Sequence, residues 1–157
     1  MKRIPTIAVS GGFDPVHKGH IQMIREAAGY GNVIVLLNSD DWLIRKKGYK
    51  FMSFEERAYI VGSIKGVTVV SYVDDNDGSV CAGLRRFQPD YFANGGDRYE
   101  TNTPEMEVCE NLGIKMLWNV GGGKIQSSSE LVAKAKYGKV VINGKELRFY
   151  NNGVTSI

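Results

Sequence analysis

The sequence predicts an α/β fold, an open parallel sheet with helices on both faces, and three features of its 157 residues carry that expectation. Short apolar runs alternate with segments of helical period, the pattern of strand-helix-strand units. Glycine-rich turns follow several of those runs, at Gly11-Gly12, Gly95-Gly96 and Gly121-Gly122-Gly123. The composition, 43% apolar and 24% charged, is that of one globular domain, and the chain is long enough to bury about two-thirds of its unfolded surface.

Taken in order, Thr6 to Val9 reads as a buried first strand, and Ile21, Met23, Ile24 and Ala27-Ala28 put an apolar face on the helix that follows. Val33 to Leu37 is the second strand. Ser53 caps a helix that begins Phe54-Glu55-Glu56-Arg57 and continues through Ala58, Ile60, Val61 and Ile64 to Gly66. Val67 to Val73 is the third strand, and Val80 to Phe87 a short helix weakened by Gly83. Tyr91 to Ala93 is the fourth strand. Thr103, Pro104 and Glu105 open a helix that Met106, Val108, Cys109 and Leu112 carry to Gly113. Ile114 to Trp118 is the fifth strand, and a last helix runs from Ser127-Ser128-Ser129 to Gly138. This order defines a Rossmann-like sheet. Beyond it, Lys139-Val140-Val141-Ile142, Asn143-Gly144 and Lys145 to Tyr150 form a hairpin signal, because Asn-Gly accepts the positive φ angles of a type I′ turn. A lone hairpin is marginal in water, so residues 138–157 are expected to extend the 1–137 domain or to join a second copy in a homodimer.

The formal charge of +3 is too small to imply nucleic acid, and the basic residues are dispersed apart from Arg45-Lys46-Lys47 and Arg85-Arg86. No apolar run approaches the roughly 20 residues needed to cross a bilayer. The start, Met1-Lys2-Arg3-Ile4-Pro5, lacks a long apolar signal region, and a cytoplasmic protein is expected. Cys81 and Cys109 have no paired spacing, so both are expected to be small core residues and neither a disulfide nor a nucleophile.

Both histidines lie in His17-Lys18-Gly19-His20, where the first strand becomes the first helix. Free N–H groups and the positive end of the helix dipole gather at such a junction, so it favours anions, and two imidazoles there can donate hydrogen bonds to phosphate oxygens. Helix capping is the structural alternative, and zinc a weaker one, since two histidines without a third ligand make a poor site. The glycine run before Ser127-Ser128-Ser129 forms a second helix start of the same kind. One serine is explained as a cap, and the others supply hydroxyls to a phosphate cradle. In an open sheet of this type ligands collect beyond the carboxyl ends of the strands, so the loops after the first, fourth and fifth strands are expected to meet.

Gly12-Phe13-Asp14-Pro15-Val16-His17-Lys18-Gly19-His20 resembles the GxFDxxHxGH signature of the cytidylyltransferase-like nucleotidyltransferases. Ser127-Ser128-Ser129 is similar to the Ser-Thr-Thr-like segment that holds the triphosphate in that family, although Lys124 stands near the place of an arginine found in the glycerol phosphate branch. Asn94-Gly95-Gly96-Asp97 resembles the Lys-Gly-Gly-Asp segment of the heptose-phosphate branch, with Asn94 in place of the lysine; a simple turn is the alternative.

The resemblance implies transfer of a nucleoside monophosphate from CTP or ATP to a phosphorylated sugar or polyol, with pyrophosphate released and magnesium accompanying the nucleotide. It makes residues 1–137 the nucleotidyltransferase domain. Gly11, Gly12, Phe13, His17, His20, Asp97, Ser127, Ser128 and Ser129 would bind the nucleotide, and His17, His20 and Lys47 would act in catalysis, with Lys46 as the alternative lysine. Lys47 and Arg57 would meet the acceptor phosphate, Arg57 having an intrahelical ion pair as its structural alternative. Asp14 is expected to fix the loop through backbone amides rather than bind magnesium, and Trp42 to pack or to cover the acceptor pocket. Two other functions fit less well: a nucleotide-binding sensor without chemistry, and an aminoacyl-type adenylating enzyme, for whose further domains the chain has no room.

Overall fold

Strand β1 (Thr6–Gly11) lies at the centre of a five-stranded parallel sheet. The order is β3-β2-β1-β4-β5, with β2 at Asn32–Leu37, β3 at Val67–Tyr72, β4 at Tyr91–Ala93 and β5 at Lys115–Leu117. The computed structural model describes residues 3–95, 103–123, 125–137, 139–142, 144–150 and 153–156. Alternate residues of the central strands enter two cores. Ile7, Val9, Val33, Val35 and Leu37 pack on one face, and Ala8, Ile34 and Leu36 on the other. Burial on both faces is why these strands read as unbroken apolar runs.

Helices α1 (Lys18–Ala27) and α3 (Phe54–Gly62) cover the first face through Ile24, Ala27 and Val61. Helices α4 (Cys81–Phe87) and α5 (Pro104–Leu112) cover the second through Leu84 and Val108. The Rossmann-like α/β expectation is therefore met, helices on both faces included. Cys81 and Cys109 are core residues, and burial pushes both thiols up, Cys109 to about 11.

Two elements exceed the sequence expectation. The first is α2 (Asp40–Lys47), which Ser39 caps by accepting the Trp42 N–H at 3.0 Å and which Gly48 ends at φ 85°. It is only two turns long and buries Leu43 alone, so it lacks the apolar stripe that reveals longer helices. The second is β8 (Gly153–Ser156). With β6 (Lys139–Ile142) and β7 (Lys145–Tyr150) it makes a three-stranded antiparallel sheet in place of a two-stranded hairpin. Gly144 has the positive φ, 76°, that the turn requires, while Asn143 lies outside the described residues. The small sheet meets α6 (Ser128–Tyr137) through β6 and β7. No helix among the described residues is long and apolar enough to cross a membrane.

Strand order reverses between β1 and β4, so the crevice of this sheet opens beyond their carboxyl ends. The residues of the candidate site gather there.

Candidate active site

A cleft of about 360 Å³ stands at the carboxyl edge of the sheet, and the loops after β1, β4 and β5 all reach it. The β1 loop is held tightly. A Cβ on Gly12 would stand 2.7 Å from Leu43 Cδ2, so glycine is what allows α2 to close on the loop. Phe13 turns at φ 50° and is buried, with its ring 4.7 Å from that of His20. Asp14 is buried and accepts the backbone N–H groups of Phe51 and Met52 at 2.6 and 2.7 Å, the loop-fixing role expected of it.

The histidines form an interlocked pair at the start of α1. His17 is the N-cap and its Nδ1 accepts the Gly19 N–H at 3.1 Å; His20 Nδ1 accepts the His17 N–H at 3.2 Å. The rings stack with centroids 3.8 Å apart. A nitrogen that accepts a backbone N–H carries no proton, so each imidazole is neutral with its proton on Nε2. Capping thus uses the Nδ1 edge of each ring, and the Nε2 proton stands on the opposite edge. Gly19 is part of this design: a Cβ there would meet His17 Cε1 at 3.0 Å.

Across the cleft, Ser127 Oγ accepts the Glu130 N–H at 3.3 Å and caps α6. Ser128 Oγ donates to the Pro15 carbonyl at 2.8 Å, tying this helix start to the histidine loop. All three serines line the cleft, with Ser129 exposed. The N-termini of α1 and α6 therefore share one cavity, and their orphan N–H groups and dipoles make it a site for anions. Lys46 and Lys47 also line it from the end of α2; Lys47 is half-buried, and the Lys46 ammonium lies 4.5 Å over the Trp42 ring.

Of the residues expected from sequence, Gly11, Gly12, Phe13, His17, His20, Lys47 and the three serines are brought together here. Arg57 is not. It is fully buried, and it donates to the carbonyls of Met52, Gly12 and Asn38 and to Asp40 Oδ1 at 2.7 Å. With four of its donor bonds made behind the loop, Arg57 braces the site where an acceptor-phosphate contact was expected. Its ion pair is with α2 rather than within its own helix. Burial would raise Asp40, but hydrogen bonds from Arg57 and Lys50 outweigh it and hold this carboxyl below the usual range. Asp97 and Lys124 lie outside the described residues. Asn94 is buried and its amide donates to the Leu117 carbonyl at 3.3 Å, joining the ends of β4 and β5.

Three lining residues were missed or set aside in the sequence: Asn38, Trp42 and Glu105. Asn38 ends an apolar strand and Glu105 looks like an ordinary first-turn acid, so neither carries a local signal. Trp42 was visible only as an aromatic flanked by acids.

The model of the cytidylyltransferase-like family matches residues 8–122, and the chain belongs to that family of nucleotidyltransferases. Among curated proteins it is similar to the bifunctional protein HldE of Geobacter sulfurreducens, 31% identical over 139 residues, which is 85% of this chain and 28% of that protein. It is likewise similar to the bifunctional protein HldE of Salmonella arizonae, 32% identical over 137 residues, 79% of this chain and 28% of that one. The chain thus spans under a third of the length of these relatives. The crystal structure of the lipopolysaccharide core biosynthesis protein from Thermoplasma volcanium shares the fold, with a TM-score of 0.61 and 20% identity over 74% of this chain and 96% of that one.

Proposed function

We propose that this protein transfers a nucleoside monophosphate from CTP or ATP to a phosphorylated sugar or polyol and releases pyrophosphate. The observation that carries the reading is the stacked histidine pair, whose Nδ1 atoms are occupied by backbone N–H groups so that both Nε2 atoms are donors, in a cleft shared with a second helix N-terminus. In the reaction, an acceptor phosphate oxygen attacks the α-phosphorus in line. A new P–O bond forms, the bond to the bridging oxygen breaks, and that oxygen leaves with the electron pair as pyrophosphate. No covalent enzyme intermediate is needed. His17 and His20 donate to phosphate oxygens, Lys47 balances their charge, and the starts of α1 and α6 hold them in place, so that catalysis is positioning plus stabilisation of moving charge.

Among the described residues no group of three or more His, Cys, Asp or Glu is placed to hold a metal ion. In this reading magnesium would arrive with the nucleotide, held by phosphate oxygens and water, and would supply charge neutralisation. A homodimer is the assembly this reading carries, and a sedimentation-velocity run showing monomer alone would remove it.

The test is a pyrophosphate-release screen of CTP, ATP, UTP and GTP against phosphorylated sugars, polyols and amino alcohols. Release with CTP or ATP and a sugar or polyol phosphate is expected. Nucleotide binding without release from any pair would make the protein a sensor instead.

A further inference from the structure

The chain that leaves β5 is fastened to the side of α1. It turns through Asn119, Gly121 and Gly122, at φ 58°, 86° and 79°, and passes so close to the helix that a Cβ on Gly121 would stand 2.8 Å from Met23 Cα. Glu26 follows three residues after Met23 and so shares its face of α1. Its Oε2 accepts the Gly121 N–H. Among the described residues this is the one side-chain hydrogen bond made to Gly121, Gly122 or Gly123. Glu26 itself is exposed and stands outside the lining of the cleft, so it reaches a ligand only through the loop it holds.

The same segment is tied down again at Ser128, whose Oγ donates at 2.8 Å to the Pro15 carbonyl in the loop ahead of α1. Between the two ties, Gly122, Gly123 and residues 125–127 all line the cleft, and Ile125 Cγ1 lies 3.5 Å from where a Cβ on Gly19 would stand. The segment is therefore a strap, fastened at each end to the part of the chain that carries His17 and His20. Its glycines have no side chains with which to keep a register, and glycine loses more backbone freedom on ordering than any other residue. A backbone N–H held by a carboxylate makes the stronger kind of hydrogen bond. The tie at Glu26 thus orders the first residue of the strap in advance, and a ligand that needs the strap in place binds without meeting that part of the entropy cost.

Resting on the transferase reading, we propose that Glu26 is a positioning residue for the nucleotide: by holding the Gly121 amide on α1, it pre-sets the strap that runs along the cleft to the start of α6.

Glu26→Ala and Glu26→Gln test this in the full chain, through the Kd of CTP and ATP by calorimetry, the steady-state constants of pyrophosphate release, and hydrogen exchange at the Gly121 amide. In Glu26→Ala the Gly121 amide is expected to exchange faster. The nucleotide Kd and KM are expected to rise about fivefold, the scale of one exposed hydrogen bond to a charged group, with kcat and the acceptor KM unchanged. Glu26→Gln keeps a carbonyl oxygen for the Gly121 N–H and is expected to stay near the wild type. An unchanged nucleotide Kd in Glu26→Ala, whatever happens to the thermal midpoint, overturns the proposal and leaves the transferase reading standing. So does an equal weakening in both variants, because the hydrogen bond would then not be the cause. No release from the wild-type protein with any pair overturns the transferase reading, while the nucleotide Kd, which needs no turnover, still decides the role of Glu26. Failure of the wild type to bind either nucleotide overturns both.

Discussion

Two rings and one guanidinium show how single residues divide the work of this site. The Nδ1 edges of His17 and His20 serve the backbone and, in the proposed reaction, their Nε2 edges serve the nucleotide, so alanine at either position would remove a cap and a donor together. Turnover is expected to fall about 10²-fold in His17→Ala or His20→Ala, the scale of one oriented electrostatic group, and near-normal kcat in both would sink the mechanism. Arg57 does the reverse job, holding the loop from behind. Arg57→Ala leaves the Gly12 and Asn38 carbonyls and Asp40 short of a donor, and a loss of about 3 kcal/mol in urea unfolding is expected. The His-Lys-Gly-His spacing made the histidines legible in the sequence because their chemistry is local. Arg57 was misread because an arginine in a helix start looks the same whether its head reaches a ligand or disappears under a loop, and only tertiary packing separates the two.

Elements that carry an apolar stripe or run were readable, and those stabilised mainly by their ends were not. Strands β1 to β5 and helices α1, α3, α4, α5 and α6 follow from periodicity; α2 has cap, first-turn acids, last-turn bases and a closing glycine, yet a single buried residue. Its packing on the β1 loop is nevertheless tight. Gly12→Ala would push a Cβ into Leu43, and a cost of about 1–3 kcal/mol is expected, read as a lowered urea midpoint. At the opposite edge of the sheet, Asp90 pins the chain ahead of β1 to the start of β4, accepting from Arg3 at 2.7 and 3.0 Å and from the Thr6 N–H at 2.8 Å. The hydrogen bond from Arg3, then that from Thr6, lowers the Asp90 carboxyl to about 2 from an ordinary 3.8. A depressed folded-state value means that this contribution is complete above 3.8 and is lost as the pH falls toward 2. Urea midpoints measured between pH 5 and pH 2 are expected to fall less steeply in Asp90→Asn than in the wild type.

For the molecule as a whole, two cores lie on either side of the sheet, and the second core holds both thiols of the chain. Burial raises Cys109 to about 11 and raises Cys81 as well, so at pH 8 few thiolates form and reaction with a disulfide reagent requires the α4–α5 layer to open. That layer also supplies Val80 and Glu105 to the cleft, so cysteine reactivity reports on the site from behind. Both thiols are expected to be silent in the native protein and to react fully in urea. A nucleotide at about 100 times its Kd stabilises the folded state by about 2.7 kcal/mol, so residual native labelling should slow about a hundredfold if it proceeds through global unfolding. Labelling that stays at its original rate under saturating nucleotide would show instead that α4 and α5 lift from the sheet while the starts of α1 and α6 remain assembled.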